Sequence, residues 1–512
     1  MYSIVSTAII HGISSLPVQV EADVSDGMPM FEMVGFLASE VKEARERVRT
    51  AIRNSGYVLP TKRITVNLSP ANIKKTGSGF DLPVAIAVLA ALGIVLDDNL
   101  SGCLIVGEIG LNGKVQPVEG ILPIVAQAGV QGFTHCIVPY ENKIEACMIK
   151  NIKIIAVKSI LEVIAYLNGE ELAPCVEDTE KVQSLKVSDT GNYDFSQING
   201  QRLVRRACEV AAAGMHNFLM VGPPGAGKTM IAQRIPTILP PMREQEQLEL
   251  AKIYSISGML LQDEGIAQRR PFRSPHHTIT PQGLVGGGNI PKPGEISLAH
   301  KGVLFLDELT EFPKSTLELL RQPMEDRQVH ISRLHGTCSY PAEFMLVAAM
   351  NPCPCGAYPD MNRCRCTQSA MNRYLGKISQ PLLDRIDICV ETTQLTYAEL
   401  TAKNKNESSA VIRERVYSAW QLQKERYEES NIYFNSRIPS DKLKEICNIS
   451  QKEEDYLQDM YKRSHLTARS YHKILRVART IADLSNSRQV NVEHLSEAFC
   501  YRSLDRKYWE RW

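Results

Sequence analysis

Eight consecutive residues carry the strongest chemical signal in the sequence: Gly222, Pro223, Pro224, Gly225, Ala226, Gly227, Lys228 and Thr229. A short apolar run, Asn217 to Val221, precedes them, and Met230 to Ile235 can continue as a helix. In a strand–loop–helix setting, such glycines let backbone N–H groups curl around phosphate oxygens, and the helix N-terminus adds partial positive charge. Lys228 is then placed for β- and γ-phosphates and Thr229 for Mg2+, which points to ATP as the bound ligand.

A second chemical pair follows at Asp307 and Glu308, directly after the apolar run Val303 to Leu306. Such a run reads as a buried parallel strand, and α/β sheets bind ligands outside the carboxyl ends of their strands. There Asp307 would hold the Mg2+ shell and Glu308 would polarise an attacking water. A third buried strand, Phe344 to Met350, ends at Asn351, whose amide could reach the γ-phosphate and the water. Arg385 sits in Pro381-Leu-Leu-Asp-Arg-Ile-Asp387 and has Asp384 and Asp387 at hand as local partners.

Four of the 13 cysteines cluster as Cys353, Cys355, Cys364 and Cys366. Four thiolates satisfy a tetrahedral Zn2+, and such an ion would staple a loop too polar to build its own core. Four reduced thiols without metal is the competing reading. Arg363, Arg365 and Arg373 in the same region offer contacts to phosphate. The remaining cysteines lie singly in apolar segments and read as buried reduced thiols.

The elements that must position these groups fall into blocks. A chain of 512 residues is too long for one core. Residues 1–168 alternate strand-like and helix-like stretches: Leu16–Val24 strand, Glu40–Ser55 helix, Arg63–Leu68 strand, Asp81–Leu92 helix, Cys103–Glu108 strand, Ile121–Ala128 helix and His135–Val138 strand. Polar, aperiodic residues over 169–193 read as a linker. A second α/β block, 194–392, contains the motifs above, and 393–512 is charged and helical in pattern. The fold class is therefore multidomain α/β with a helical C-terminal part. The longest apolar run, Leu82 to Leu96, is interrupted by Pro83 and Gly93 and is too short for a bilayer span, so no membrane partner and a cytoplasmic location are expected. The net charge of +1 provides no global basic field, and any nucleic-acid surface must be local.

Asp194-Phe-Ser-Gln-Ile-Asn-Gly-Gln201, the phosphate loop, Asn351-Pro-Cys-Pro-Cys-Gly356 and Pro381-Leu-Leu-Asp-Arg385 together resemble the magnesium-chelatase-like AAA+ proteins of the bacterial YifB/ComM branch. The resemblance covers essentially the whole chain. It implies an AAA+ core, a helical lid, hexameric rings, and for ComM the ATP-driven migration of DNA branches during uptake of transforming DNA. It also implies roles: Asn351 as sensor 1, Arg385 as the arginine that reaches a neighbouring subunit's γ-phosphate, and Arg469 as the lid's sensor 2, with Arg476 as the less favoured candidate.

The segments Gly107 to Gly120 and Val138 to Asn142 look like the protease domain of Lon, which uses a serine nucleophile activated by a lysine. In that alignment the serine position falls on Gly79 and the lysine position on Leu122. Ser78, Lys74 and Lys75 are near but at non-matching positions, so the expectation is a Lon-like (ribosomal S5 domain 2-like) fold without the Ser–Lys dyad or the protease.

Two segments are candidates for gripping a track. Pro271 to Gly288 is larger than a minimal phosphate-loop domain needs, and the related helicase clade places a pore-facing insertion there. A hairpin is expected over Gln328 to Tyr340. Arg273, Arg333 and His335 are the DNA-contacting candidates, binding in a salt-sensitive way; His276 and His277 each read as structural. Three readings remain open: a DNA translocase or branch-migration helicase, placed first; a chelatase-like ATPase that remodels a protein partner; and an ATP-gated assembly scaffold whose N-terminal domain recruits a partner.

Overall fold

The computed structural model describes residues 1–170, 193–261, 269–288, 291–333, 336–397, 406–428, 430, 432–464 and 466–509. Most of the linker expected at 169–193 therefore lies outside the described residues, as does His335.

Alternation of apolar and polar residues builds the first sheet. β1 (Tyr2–His11) and β2 (Ser14–Ser25) form an antiparallel hairpin, with Tyr2 opposite Asp23 and His11 opposite Ser14. Val18, Val20, Ala22 and Val24 of β2 are buried at every second position. With β3 (Met30–Val34), β4 (Arg63–Ser69), β5 (Cys103–Ile105), β6 (His135–Pro139) and β7 (Lys153–Val157), the order is β3-β4-β2-β1-β5-β6-β7. Helix α1 (Ser39–Asn54) buries Val41, Ala44, Val48, Ala51 and Ile52 along one stripe, and α2 (Asp81–Ala91) is buried on all sides. The apolar run beginning at Leu82 is thus a core helix.

The strand expected over Cys103–Glu108 is broken. β5 stops at Ile105, and Glu108–Ile109 pairs instead with Val115–Gln116. Between them the Gly107 carbonyl accepts from the Leu82 amide and the Gly107 amide donates to Gly79 at 3.1 Å, which pulls the chain out of the sheet and onto the start of α2. A Cβ on Gly107 would come within 3.0 Å of the Leu82 side chain.

The second sheet is entirely parallel. β8 (Phe218–Val221), β9 (Phe272–Arg273), β10 (Val303–Leu306), the later β13 (Met345–Met350) and β14 (Ile388–Glu391) run in the order β9-β10-β13-β8-β14. β8, β10 and β13 are apolar and buried throughout, as expected of parallel strands covered on both faces. The register aligns Val221 with Met350 and with Glu391, and Leu306 with Ala348. Gly222, Asp307 and Asn351 therefore leave the sheet along one edge. The expected hairpin is present as β11 (Gln328–Arg333) and β12 (Gly336–Pro341), with Arg333 opposite Gly336.

Beyond residue 406 the described chain is helical. α3 (Ser409–Arg426) and α4 (Ala468–Leu484) start on side-chain caps from Ser408 and Thr467. Ile474, Leu475, Val477, Ala478 and Ile481 of α4 join Phe218, Met220 and Val347 in one apolar cluster, so these helices share a core with the parallel sheet. Among the described residues, no helix is long and apolar enough to cross a membrane.

The two sheet-bearing parts also share a core. Ala251 of the helix Glu244–Ile256 is buried among Ile121, Leu122 and Val125 of the helix Ile121–Val130. Gly120 donates to the Ser255 carbonyl at 3.0 Å, and the Lys292 amine meets the Glu119 carboxylate at 2.7 Å. Gly120 has φ 78°, and a Cβ there would lie 2.0 Å from Ile10 Cδ1. Only glycine satisfies both the backbone angle and that close approach.

Candidate functional site at the carboxyl edge of the parallel sheet

The loop after β8 is shaped by Gly225 at φ 75° and Gly227 at φ 80°. Space beside Gly225 is open, whereas a Cβ on Gly222 would collide with Thr392 Oγ1 at 2.0 Å. The loop thus has a tight rear wall and an open front. The helix that follows spans Lys228–Ala232 and ends sooner than its sequence pattern suggests. Pro236 has no N–H for a continuing turn, and the chain tightens into a 3-10 turn at Ile235–Ile238.

Lys228 is buried and its amine donates to the carbonyls of Gly222 (2.7 Å) and Pro223 (2.9 Å) and to Asn351 Oδ1 (3.1 Å). Burial lowers its pKa, while the charges of Asp307 and Glu308 act to raise it. Thr229 Oγ1 donates to Asp307 Oδ2 at 2.5 Å. Glu308 adopts the left-handed conformation (φ 51°, ψ 49°), and its amide donates to Asp307 Oδ1 at 2.9 Å. That turn separates the two carboxylates: one faces Thr229, the other lies 3.7 Å from His277 Nδ1. A basic amine, a hydroxyl–carboxylate pair, a second carboxylate and an amide thus converge beside an open glycine loop. The donor set and the cradle fit a triphosphate with Mg2+, Thr229 and Asp307 being the groups able to share the cation.

The arginines are placed less uniformly. Arg385 is folded inward: its guanidinium donates to the Pro381 carbonyl at 2.6 Å and contacts the Glu325 carboxylate. Arg469 is mostly exposed, 3.9 Å from Asp384. Arg476 donates to the Ile438 carbonyl at 2.9 Å and to Ser440, an anchoring role within the helical part. Arg273 makes a two-pronged pair with Glu295, both contacts at 2.7 Å, and so reaches the site's surroundings with its charge already matched. Arg333 ends β11 at the hairpin tip.

The four cysteine sulfurs lie within 4.8 Å of one another. Burial pushes the Cys353 thiol up to about 12, whereas the Ala357 amide facing Cys355 brings that thiol down to about 6. In the N-terminal part, the Ser78 hydroxyl donates to the Glu108 carboxylate and the Lys75 amine to the Pro70 carbonyl.

Several neighbours of the site carry no linear motif. His277, expected to be structural, stands beside Glu308 with its ring tilted against that of His276, centroids 4.0 Å apart. Gln201 clasps the backbone of Thr393 from both sides of its amide. Tyr374 sets its hydroxyl against Thr310 and the Asn351 backbone.

Three family descriptions match along the chain. "Magnesium chelatase, subunit ChlI" covers residues 194–400, "Subunit ChlI of Mg-chelatase" residues 20–142, and "Magnesium chelatase, subunit ChlI C-terminal" residues 406–502. The chain is 40% identical over 507 residues to Competence protein ComM of Haemophilus influenzae, covering 98% of each. It is 40% identical over 509 residues to the protein YifB of Escherichia coli, covering 98% of this chain and 97% of that one. A local likeness to Lon protease 2 of Bacillus subtilis, 34% identical over 128 residues, covers 25% of this chain and 22% of that protein. With this fold, this nucleotide-type site and matches along its full length, the chain belongs to the magnesium-chelatase-like AAA+ family that includes ComM and YifB.

Proposed function

We propose that the chain is an ATP-hydrolysing AAA+ motor that assembles into a homo-oligomeric ring, a hexamer by family resemblance, and acts on single-stranded or branched DNA as a branch-migration helicase or translocase. The observation that carries the ATPase is the convergence of Lys228, Thr229, Asp307, Glu308 and Asn351 at one sheet edge, with Thr229 and Asp307 2.5 Å apart. Mg2+, when bound, neutralises charge on the phosphates. Around it Lys228 and the loop amides hold the phosphates, Glu308 accepts the proton of the attacking water, and Asn351 orients that water. Arg385 completes a neighbouring subunit's site, and Arg469 senses nucleotide from the lid.

In this reading residues 1–168 are a Lon-like domain without protease activity, 169–193 a linker, 194–392 the AAA+ core and 393–512 the lid. Ser78 bonded to Glu108 and Lys75 bonded to a carbonyl support a domain that does not cleave peptides. Zn2+ held by Cys353, Cys355, Cys364 and Cys366 is a second, structural metal. The name of Competence protein ComM and the hairpin β11–β12 ending at Arg333 support DNA as the track. The protein works in the cytoplasm.

A protein partner at the N-terminal domain is the second reading, favoured by β3. This edge strand exposes Met30 and Val34, next to exposed Met28 and Phe36.

The deciding experiment is steady-state ATP hydrolysis without DNA and with duplex, single-stranded and four-way-junction DNA, using Glu308→Gln as blank. Stimulation greatest with single-stranded or branched DNA supports the motor. A rate indifferent to every DNA, with the blank inactive, retains the ATPase and removes DNA as its track.

A further inference from the structure

We infer that the four-cysteine zinc centre braces the phosphate loop at Pro224, so that ATP turnover depends on the bound zinc; this inference rests on the ATPase reading above and adds a metal requirement to it.

The size of the cluster argues for a single ion. Cys353 and Cys355 sulfurs are 3.4 Å apart, Cys353 and Cys364 3.8 Å, and Cys355 and Cys364 3.7 Å. A tetrahedral zinc with Zn–S bonds of about 2.3 Å has sulfur–sulfur edges of about 3.8 Å. A disulfide would need about 2.05 Å, well below every one of these separations. A cluster of several irons would need its four ligands spread around a larger body. The Tyr358 amide points at the Cys353 sulfur at 3.4 Å, the kind of donor that steadies a thiolate ligand. Tyr358 packs against Tyr508, but the outer part of the loop has no apolar cover: Met361 is 72% exposed, and Asn362, Arg363 and Arg365 face solvent. A loop of this kind folds on its metal.

The loop's position supplies the coupling. Its first ligand, Cys353, lies two residues after Asn351, whose side chain receives Lys228. The Gly356 amide closes a turn onto the Cys353 carbonyl at 2.9 Å. That turn lies flat against the nucleotide loop: a Cβ on Gly356 would stand 2.5 Å from Pro224 Cδ and 3.2 Å from Pro224 Cγ. At its far end the loop runs from Cys366 into the helix Gln368–Leu375, whose Tyr374 hydroxyl lies near the Asn351 amide. Both ends of the metal loop thus lie near Asn351, and Gly356, next to the second ligand, backs Pro224. Losing the ion frees the four thiols from one another, and with them the turn that packs on Pro224.

The test uses the full chain purified without chelator. Elemental analysis, ATP turnover, binding of a fluorescent ATP analogue and far-ultraviolet circular dichroism are measured before and after zinc is stripped with a thiol-directed mercurial and a chelator. The expected result is about one zinc per chain, with turnover falling at least about ten-fold on stripping and recovering with stoichiometric Zn2+ but not with further Mg2+. Protein that is isolated free of zinc yet hydrolyses ATP overturns the metal site and the brace together. Zinc-loaded protein whose rate survives stripping overturns the brace and leaves the metal site. Zinc-loaded protein that never binds or hydrolyses ATP removes the ATPase reading itself, and the brace with it. Because stripping could unfold the chain, Gly356→Ala is the second arm. It keeps all four thiols, and because Gly356 has φ 76° its zinc content is measured alongside; zinc is expected to stay while turnover falls about ten-fold, by a shift of Pro224. Parental turnover in Gly356→Ala overturns the proposal.

Discussion

Lys228 and Asn351 are 123 positions apart in the chain, and the lysine amine donates to the asparagine Oδ1 at 3.1 Å. The parallel register of β8 and β13 brings them together, since Val221 and Met350 are paired neighbours. Asn351→Ala is expected to lower turnover by about 10²-fold with nucleotide affinity little changed, because in the proposed reading the amide acts on the reacting water and γ-phosphate. Lys228→Ala is expected to lose nucleotide binding itself. Steady-state kinetics alongside fluorescent-nucleotide titration separates the two, and equal effects on both quantities would sink the distinction.

Glu308 is turned away from Asp307 by its left-handed backbone. Glu308→Gln should bind ATP and Mg2+ normally while hydrolysis falls by about 10²–10⁴-fold, the usual span for a lost general base. Asp307→Asn should instead raise the Mg2+ concentration needed for half-maximal rate. A magnesium titration of the two variants checks this.

Arg385 rests on Glu325 within its own chain and acts, in the ring reading, on the next subunit. Arg385→Ala alone and Glu308→Gln alone should both be nearly inactive, by about 10³-fold for the arginine. Mixing them should restore part of the activity, since the Glu308→Gln chain supplies the arginine that its neighbour lacks. A mixture as inactive as its components would exclude action across subunits.

Arg273 and Arg333 should part company. Arg273→Ala breaks the pair with Glu295 and is expected to destabilise the fold by about 2 kcal/mol in denaturant titration. Arg333→Ala should leave stability alone and reduce the salt dependence of DNA affinity by about one phosphate contact. Unchanged DNA binding in Arg333→Ala removes the hairpin from the track.

Glu145 is buried where the two sheet-bearing parts meet. Burial raises its pKa to about 7, with hydrogen bonds from Ser255 and Asn142 only partly opposing the rise. Its folded pKa is above the unfolded value of about 4.3, so its contribution to stability is full below that value and is lost as pH rises towards 7. Glu145→Gln keeps the shape without the charge. It should melt like the parent at pH 4 and later than the parent at pH 8, by up to about 3 kcal/mol. Melting curves at the two pH values give the answer; an earlier melt at pH 8 would reverse the assignment.

Much of the site was legible because its signals are local. The phosphate loop, the acid pair after a buried strand and the Gln328–Tyr340 hairpin are each written in a few neighbouring residues, where backbone angle, apolar run and turn chemistry act within one element. The alternation in β2 and the stripe on α1 are legible for the same reason. Two expectations erred at element ends: β5 stops early because Gly107 bonds to the start of α2, and the helix after Thr229 stops at Ala232 ahead of Pro236. Ends are decided by competing partners, and a distant partner leaves no mark nearby.

What only the tertiary structure decided are meetings between remote segments. Gly356 lies flat on Pro224, His277 stands beside Glu308, Arg273 is matched by Glu295, and Glu145 is buried near Ser255. Residue type alone leaves each of these open, because a histidine, an arginine or a glutamate is chemically competent in many settings. By itself the sequence determined which groups the chain can bring to a triphosphate. Packing of the sheets determined which of those groups face it, because burial, charge pairing and close approach depend on what lies across a fold rather than along a chain.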